Sequence, residues 1–133
     1  MKMLKLAGLG VLLLVAALGG GYWWGASAGG SAEQALVGVQ QELDLAHARA
    51  QILDARVSLY NVNFGDAQRQ LDDAKGPLTR ARDRAVAQGR KEAGDALTAA
   101  LGHAQDAQRL AGRLDQNANS RANEALKAIA LAK

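Results

Sequence analysis

From Leu36 onward the apolar residues of this 133-residue chain recur at alternating intervals of three and four: Leu36, Val39, Leu43, Ala46, Ala50, Leu53, Val57, Tyr60 and Phe64. Such a heptad spacing keeps one face of an α-helix apolar along its whole length and leaves no room for strand alternation. A second stripe, Leu45, Ala48, Ile52, Ala55, Leu59 and Val62, runs beside the first. Two neighbouring apolar stripes call for more than one packing partner, which favours a bundle over a two-stranded rod. The same spacing returns in Phe64, Ala67, Leu71, Ala74, Leu78, Ala81 and Ala85, and then in Ala93, Leu97, Ala100, Ala104, Ala107, Ala111 and Leu114. Leu126, Ile129 and Ala132 mark a shorter last segment. Alanine is the commonest residue and Pro77 the only proline, a composition that favours helix. The expected fold is all-α. An N-terminal transmembrane helix precedes an antiparallel bundle of three to four helices, or a helical-hairpin domain, over residues 31–133. Its seam is led by Leu36, Val39, Leu43, Leu53, Val57, Tyr60, Phe64 and Leu71.

Turn and cap signals divide this domain. Ser31 and Gln34 form a capping-box pattern that starts the first helix. Asn61-Val62-Asn63 is a short connection in which Asn63 caps the next helix and Asp66 favours its first turn. A link this short makes the two helices antiparallel neighbours. Gly76-Pro77 predicts a kink or break, because an interior proline removes a backbone bond and crowds the preceding turn. Gln88-Gly89 marks a second turn. The polar stretch 115–120 either ends the third helix, with Asn119 or Ser120 capping a fourth, or is crossed by one long helix.

The N-terminal third has a different character. Lys2 and Lys5 form a basic flank over residues 1–5, and no Asp, Glu, Lys or Arg occurs from Leu6 to Ala32. A helix from Leu4 to Trp24 would be roughly 30 Å long, the thickness of a bilayer core. Residues 6–28 are therefore expected to be a transmembrane anchor, with Tyr22, Trp23 and Trp24 at the membrane interface. The positive-inside rule leaves the N-terminus cytoplasmic and puts the main domain on the periplasmic or extracellular side of the inner membrane. Ala17, Gly21, Gly25 and Gly29 repeat every four residues, a small-residue ladder of the kind that lets membrane helices pair. The same stretch also reads as a signal peptide cut after Ala26-Ser27-Ala28, which would release a secreted or periplasmic protein.

Several function classes fall away. The chain carries 16 basic and 13 acidic residues, and setting aside Lys2 and Lys5 leaves the remainder nearly neutral. That is too weak a field for nucleic-acid binding. The absence of cysteine removes disulfides, thiol catalysis and thiolate metal sites. No nucleophile elbow, phosphate loop or HExxH pattern occurs. His47 with Asp44, and His103 with Asp106, make only two-ligand pairs. Asp72 and Asp73 diverge by about 100° on a helix and cannot form a dyad. Arg80, Arg82, Arg84, Arg90 and Lys91 cluster in sequence, where a solvated helix end or a surface for an acidic partner or anionic headgroups are the two readings. The expectation is a non-enzyme with no cofactor and no metal. Its partners would be the lipid bilayer, an unidentified protein and, through self-association, a second copy.

The segment 55–74, ARVSLYNVNFGDAQRQLDDA, resembles a tetratricopeptide-type helical hairpin. Phe64, Ala67, Leu71 and Ala74 fall where that family puts its aromatic, small, large and small residues. The resemblance implies a hairpin that binds protein partners. Together these features describe a single-pass anchored helical domain acting by protein–protein contact or scaffolding. The alternative is a cleaved, soluble exported helical protein that binds a ligand or partner.

Overall fold

The computed structural model describes residues 30–132 in full and the backbone of residues 2–29. Four helices follow one another: α1 (Lys2–Tyr60), α2 (Phe64–Ala87), α3 (Lys91–Ala111) and α4 (Asn117–Leu131). No strand occurs among the described residues. The chain forms two compact units, Met1–Val39 and Gln40–Lys133. In the first unit, residues 30–39 are exposed apart from a half-buried Val37. The expected break at Ser31 does not occur, because Ser31 lies inside α1 rather than at an N-cap. Once a helix is nucleated, each further residue costs little, so the alanine- and leucine-rich run carries it through the glycines. No helix among the described residues is long and apolar enough to cross a membrane. The expected anchor over 6–28, the ladder Ala17, Gly21, Gly25 and Gly29, and the belt Tyr22, Trp23 and Trp24 lie outside the fully described residues.

The second unit is an up-down-up-down bundle. Gln41 Nε2 donates to the Ala81 carbonyl at 3.1 Å and Ser58 Oγ to Gln70 Oε1 at 2.9 Å, so α1 and α2 are antiparallel. Lys75 Nζ donates to Gln108 Oε1 at 2.9 Å and Gln108 Nε2 to Asp72 Oδ1 at 3.1 Å, joining α2 to α3. α3 also packs against α4. Arg56 closes the ring, donating from Nε to Asn119 Oδ1 at 2.8 Å and from Nη1 to Asn123 Oδ1 at 3.1 Å on α4.

The expected stripes of α2 and α3 face the core throughout, from Phe64 to Ala85 and from Ala93 to Ala111. α1 behaves differently. Its buried face is the second stripe, Leu45, Ala48, Ile52, Ala55 and Leu59. Of the expected seam, Leu36, Val39, Leu43, Leu53, Val57 and Tyr60 are exposed, and only Phe64 and Leu71 enter the core. Large–small alternation explains the choice. The α1–α2 hydrogen bonds run the two buried stripes in opposite directions, with Leu59 towards the Phe64 end of α2 and Leu45 towards the Ala81 end. Large residues and alanines alternate along both buried stripes, a pattern that lets helix axes come close. The outer stripe has Ala46 and Ala50 in succession and offers no such alternation.

The three connections share one device. Asn63 N donates to the Ser58 carbonyl, Arg90 N to Ala85 and Asp115 N to Leu110, each the long bond of a Schellman cap. The left-handed residue this cap requires is Gly89 in the second turn, at φ 71°. In the first and third turns it is Val62, at φ 59°, and Leu114, at φ 57°. Both are exposed, Leu114 having been expected in the α3 seam. Asn63 caps α2 as expected, accepting from Asp66 N at 3.2 Å. The fourth helix is separate, but Asn119 and Ser120 do not cap it. α3 ends at Ala111, Asp115 Oδ1 accepts from Asn117 N at 2.9 Å, and Asn119 is turned to Arg56 instead. Pro77 sits inside an unbroken α2. The carbonyl that loses its partner there belongs to Asp73, which is exposed to water.

Two neighbouring positions on α1 should therefore respond oppositely. Ile52→Asp buries an unpaired charge and should abolish the cooperative thermal transition, whereas Leu53→Asp should leave the helical circular dichroism of the bundle nearly unchanged and a cooperative transition in place. At the first turn, a left-handed L-residue costs about 1–2 kcal/mol against roughly 0.5–1 kcal/mol of chain entropy for glycine. Val62→Gly should thus raise the melting temperature; a lower one would mean that Val62 holds the turn by packing.

Candidate functional site

A site in this chain has to be sought on surfaces, since the described residues contain no group of three or more His, Asp or Glu side chains able to hold a metal ion. His47 is exposed, and its sequence neighbour Asp44 is committed elsewhere. His103 lies near Asp106, whose carboxylate is paired with Arg109 at 2.8 Å. Asp72 is bound by Lys75 at 2.6 Å and by Gln108, and these hydrogen bonds hold its carboxyl below the usual range, so it stays ionised. The surface depressions are shallow and polar. The one between α2 and α3, lined by Asp66, Gln68, Arg69, Asp72 and Gln108, presents no nucleophile and base within reach of each other.

The basic cluster is largely consumed by the fold. Asp44 Oδ1 accepts from Arg80 Nη2 at 2.7 Å and from Arg80 Nε at 3.1 Å, and Asp44 Oδ2 accepts from Arg84 Nη2 at 2.5 Å. Gln41 extends the group, receiving Arg84 Nη1 at 3.4 Å while donating to the Ala81 carbonyl. Arg82 pairs with Asp83, Lys91 with Asp95, and Arg90 reaches the Ala132 carbonyl at 3.4 Å. No continuous set of free cations remains for an acidic partner. Burial works against ionisation of Asp44, but the hydrogen bonds and charges of Arg80 and Arg84 outweigh it, and the carboxyl is held below the ordinary value. Gln41 and Asp44 are structural residues that the apolar spacing alone does not mark. The signal was present: they extend the buried stripe of α1 by one more turn, and Arg80 and Arg84 share a face of α2.

This clamp, with Arg56 on α4 and Ser58 on Gln70, fixes the rotation of α1 about its own axis. What it turns outward is the most unusual surface of the bundle. Leu43, Leu53, Val57 and Tyr60 are 58, 49, 59 and 74% exposed, and Ala46 and Ala50 between them are exposed as well. One margin carries Glu42 and Arg49, the other His47 and Asp54. Glu42, Arg49 and Asp54 take part in none of the ion pairs among the described residues. An outward helix face normally has charge at its centre; this one has it at the edges. Leu36 and Val39 are likewise exposed, on the first unit.

No protein-family model, no curated protein and no solved structure matches this chain.

Asp44 makes the clamp titratable. Its folded pKa lies below the unfolded one, so the stability it contributes is present above the ordinary aspartate range and is lost as pH falls through the folded value. Wild-type thermal stability should therefore drop as pH is lowered from about 5 to 2. Asp44→Asn should start from a lower melting temperature and show a shallower drop. An unchanged pH profile in the variant would remove Asp44 from the fold's acid response.

Proposed function

We propose that this chain is a single-pass membrane-anchored protein whose four-helix domain acts by protein–protein contact or scaffolding on the periplasmic or extracytoplasmic side. One observation carries the interaction reading: the apolar outer face of α1, held in place by the Asp44 clamp and bordered by unpaired charges. A contiguous apolar strip with a polar rim is the usual mark of a surface that another protein covers. Helix-in-groove or helix-on-helix recognition suits it, since the side chains recur at intervals of three and four. The likeness of 55–74 to a tetratricopeptide hairpin adds support of the same kind. The absence of any assembled nucleophile, base or metal-ligand set among the described residues makes a binding role the simpler reading.

The anchor rests on Lys2 and Lys5, the uncharged run after them, and the aromatic trio Tyr22, Trp23 and Trp24. The second reading, a cleaved and soluble exported protein, is favoured by Ala26-Ser27-Ala28. Fractionation of cells producing the full chain separates the two. The anchored protein should stay in the membrane pellet after an alkaline wash and retain Met1 or Lys2 as its first residue. Recovery in the soluble fraction with Gly29 as first residue would replace the anchor by the cleaved form.

A further inference from the structure

We infer that the outer face of α1 is a self-recognition seam: two copies of this chain pair along Leu43, Ala46, Ala50, Leu53, Val57 and Tyr60, parallel and in register. This rests on the reading of that face as an interaction surface and names its occupant. The seam has the order of a coiled coil, with Leu43, Ala50 and Val57 at a positions and Ala46, Leu53 and Tyr60 at d. All six are exposed, and no other element of the bundle covers them. The consecutive alanines Ala46 and Ala50 bring two such helices close, as they cannot do against a face of bulky residues.

Charge selects both the partner and its direction. In a parallel pair, each g position faces the e position five residues further along the other helix. Glu42 then meets His47 of the second copy, and Arg49 meets Asp54, each twice by symmetry. The third pairing sets Arg56 against the neutral Asn61, and Arg56 is already satisfied by Asn119 and Asn123. Every flanking contact is attractive or neutral. An antiparallel pair with the seams fully overlapped sets g against g and e against e; it keeps His47 beside Asp54 but brings Arg49 against Arg56 of the second copy, so the parallel pair alone gives Arg49 an opposite charge. The complementarity belongs to the same surface on both partners, which is what an isologous dimer requires. Glu42, Arg49 and Asp54 take part in none of the ion pairs among the described residues, which leaves them to serve it.

The native chain has no cysteine, which makes single-cysteine crosslinking clean. Leu43→Cys, Leu53→Cys and Val57→Cys should each be introduced into the full chain, expressed in membranes and oxidised, with Gln105→Cys on the exposed surface of α3 as control. A dimer band at all three seam positions, and only background at position 105, is the expected result. An antiparallel pair can bring at most one position against itself, so like-with-like bonds at three separated positions report a parallel register. In the Leu53→Cys background, Arg49→Glu should remove most of the dimer band, and adding Asp54→Arg should restore it. Circular dichroism of each variant confirms that the bundle is intact. No dimer at Leu53→Cys and Val57→Cys in a folded chain, equal dimer at position 105, or failure of the double charge reversal to rescue would overturn the inference. A seam cysteine that crosslinks only to a different protein would also overturn self-pairing, while the interaction-surface reading would survive.

Discussion

The close approach of alanine-lined helices in an antiparallel register is what the rest of this structure depends on. Alanine buries little apolar area, and at about 25 cal/mol per Å² each one contributes far less than leucine. What alanine supplies is proximity. Along the buried stripes of α1 and α2 the few large residues, among them Ile52, Leu59, Leu71 and Leu78, alternate with alanines. Such a core has little tolerance for a change in register. Gly94 shows the same tightness between α2 and α3, where a methyl group would stand 3.0 Å from the Val86 side chain.

Close packing of this kind needs orientation as well as distance, and that is the part played by the polar groups. The α1 helix could in principle turn either of its apolar stripes inward. Asp44, reaching Arg80 and Arg84, and Arg56, reaching Asn119 and Asn123, make contacts only with the second stripe inward. Turning the helix to bury Leu43, Leu53 and Val57 would swing Asp44 to the solvent side and forfeit its contacts with Arg80 and Arg84. Those charge-assisted hydrogen bonds form in one orientation alone, so the network acts as a selector between two otherwise similar packings. The exposed apolar face of α1 is thus defined by residues on the opposite side of the same helix.

That division explains how much of the fold and site was legible in the sequence. The helical class, the seams of α2 and α3, the cap at Asn63 and the turn at Gly89 all follow from local spacing and turn chemistry, which one sequence records. On α1 the spacing was equally clear, but it described the wrong side of the core. The longer heptad is the stripe left outside, and the shorter, large–small stripe is the one packed within. Periodicity says that a face is apolar; it does not say whether the cover comes from the same chain. The turn at residues 112–116 was misplaced for a related reason. Leu114 fits the α3 spacing, yet it occupies the left-handed cap position, where an exposed leucine would not be sought.

Two exposed apolar features then need one physical account. The outer stripe of α1 continues to Tyr60, and the strained Val62 lies just beyond it at the same end of the bundle as Leu114. Isolated apolar residues on a surface need no explanation, but a stripe of six at heptad spacing, edged by charges of both signs that form no ion pair among the described residues, does. For a lone bundle such a face would be a liability, inviting nonspecific association. In the proposed parallel pair the margins would make the same face selective, because the second copy would set His47 beside Glu42 and Asp54 beside Arg49, while an antiparallel copy would meet Arg49 with Arg56. The clamp that orients α1 and the charges that edge it are therefore two halves of one arrangement: the first exposes the seam, and the second restricts what can cover it.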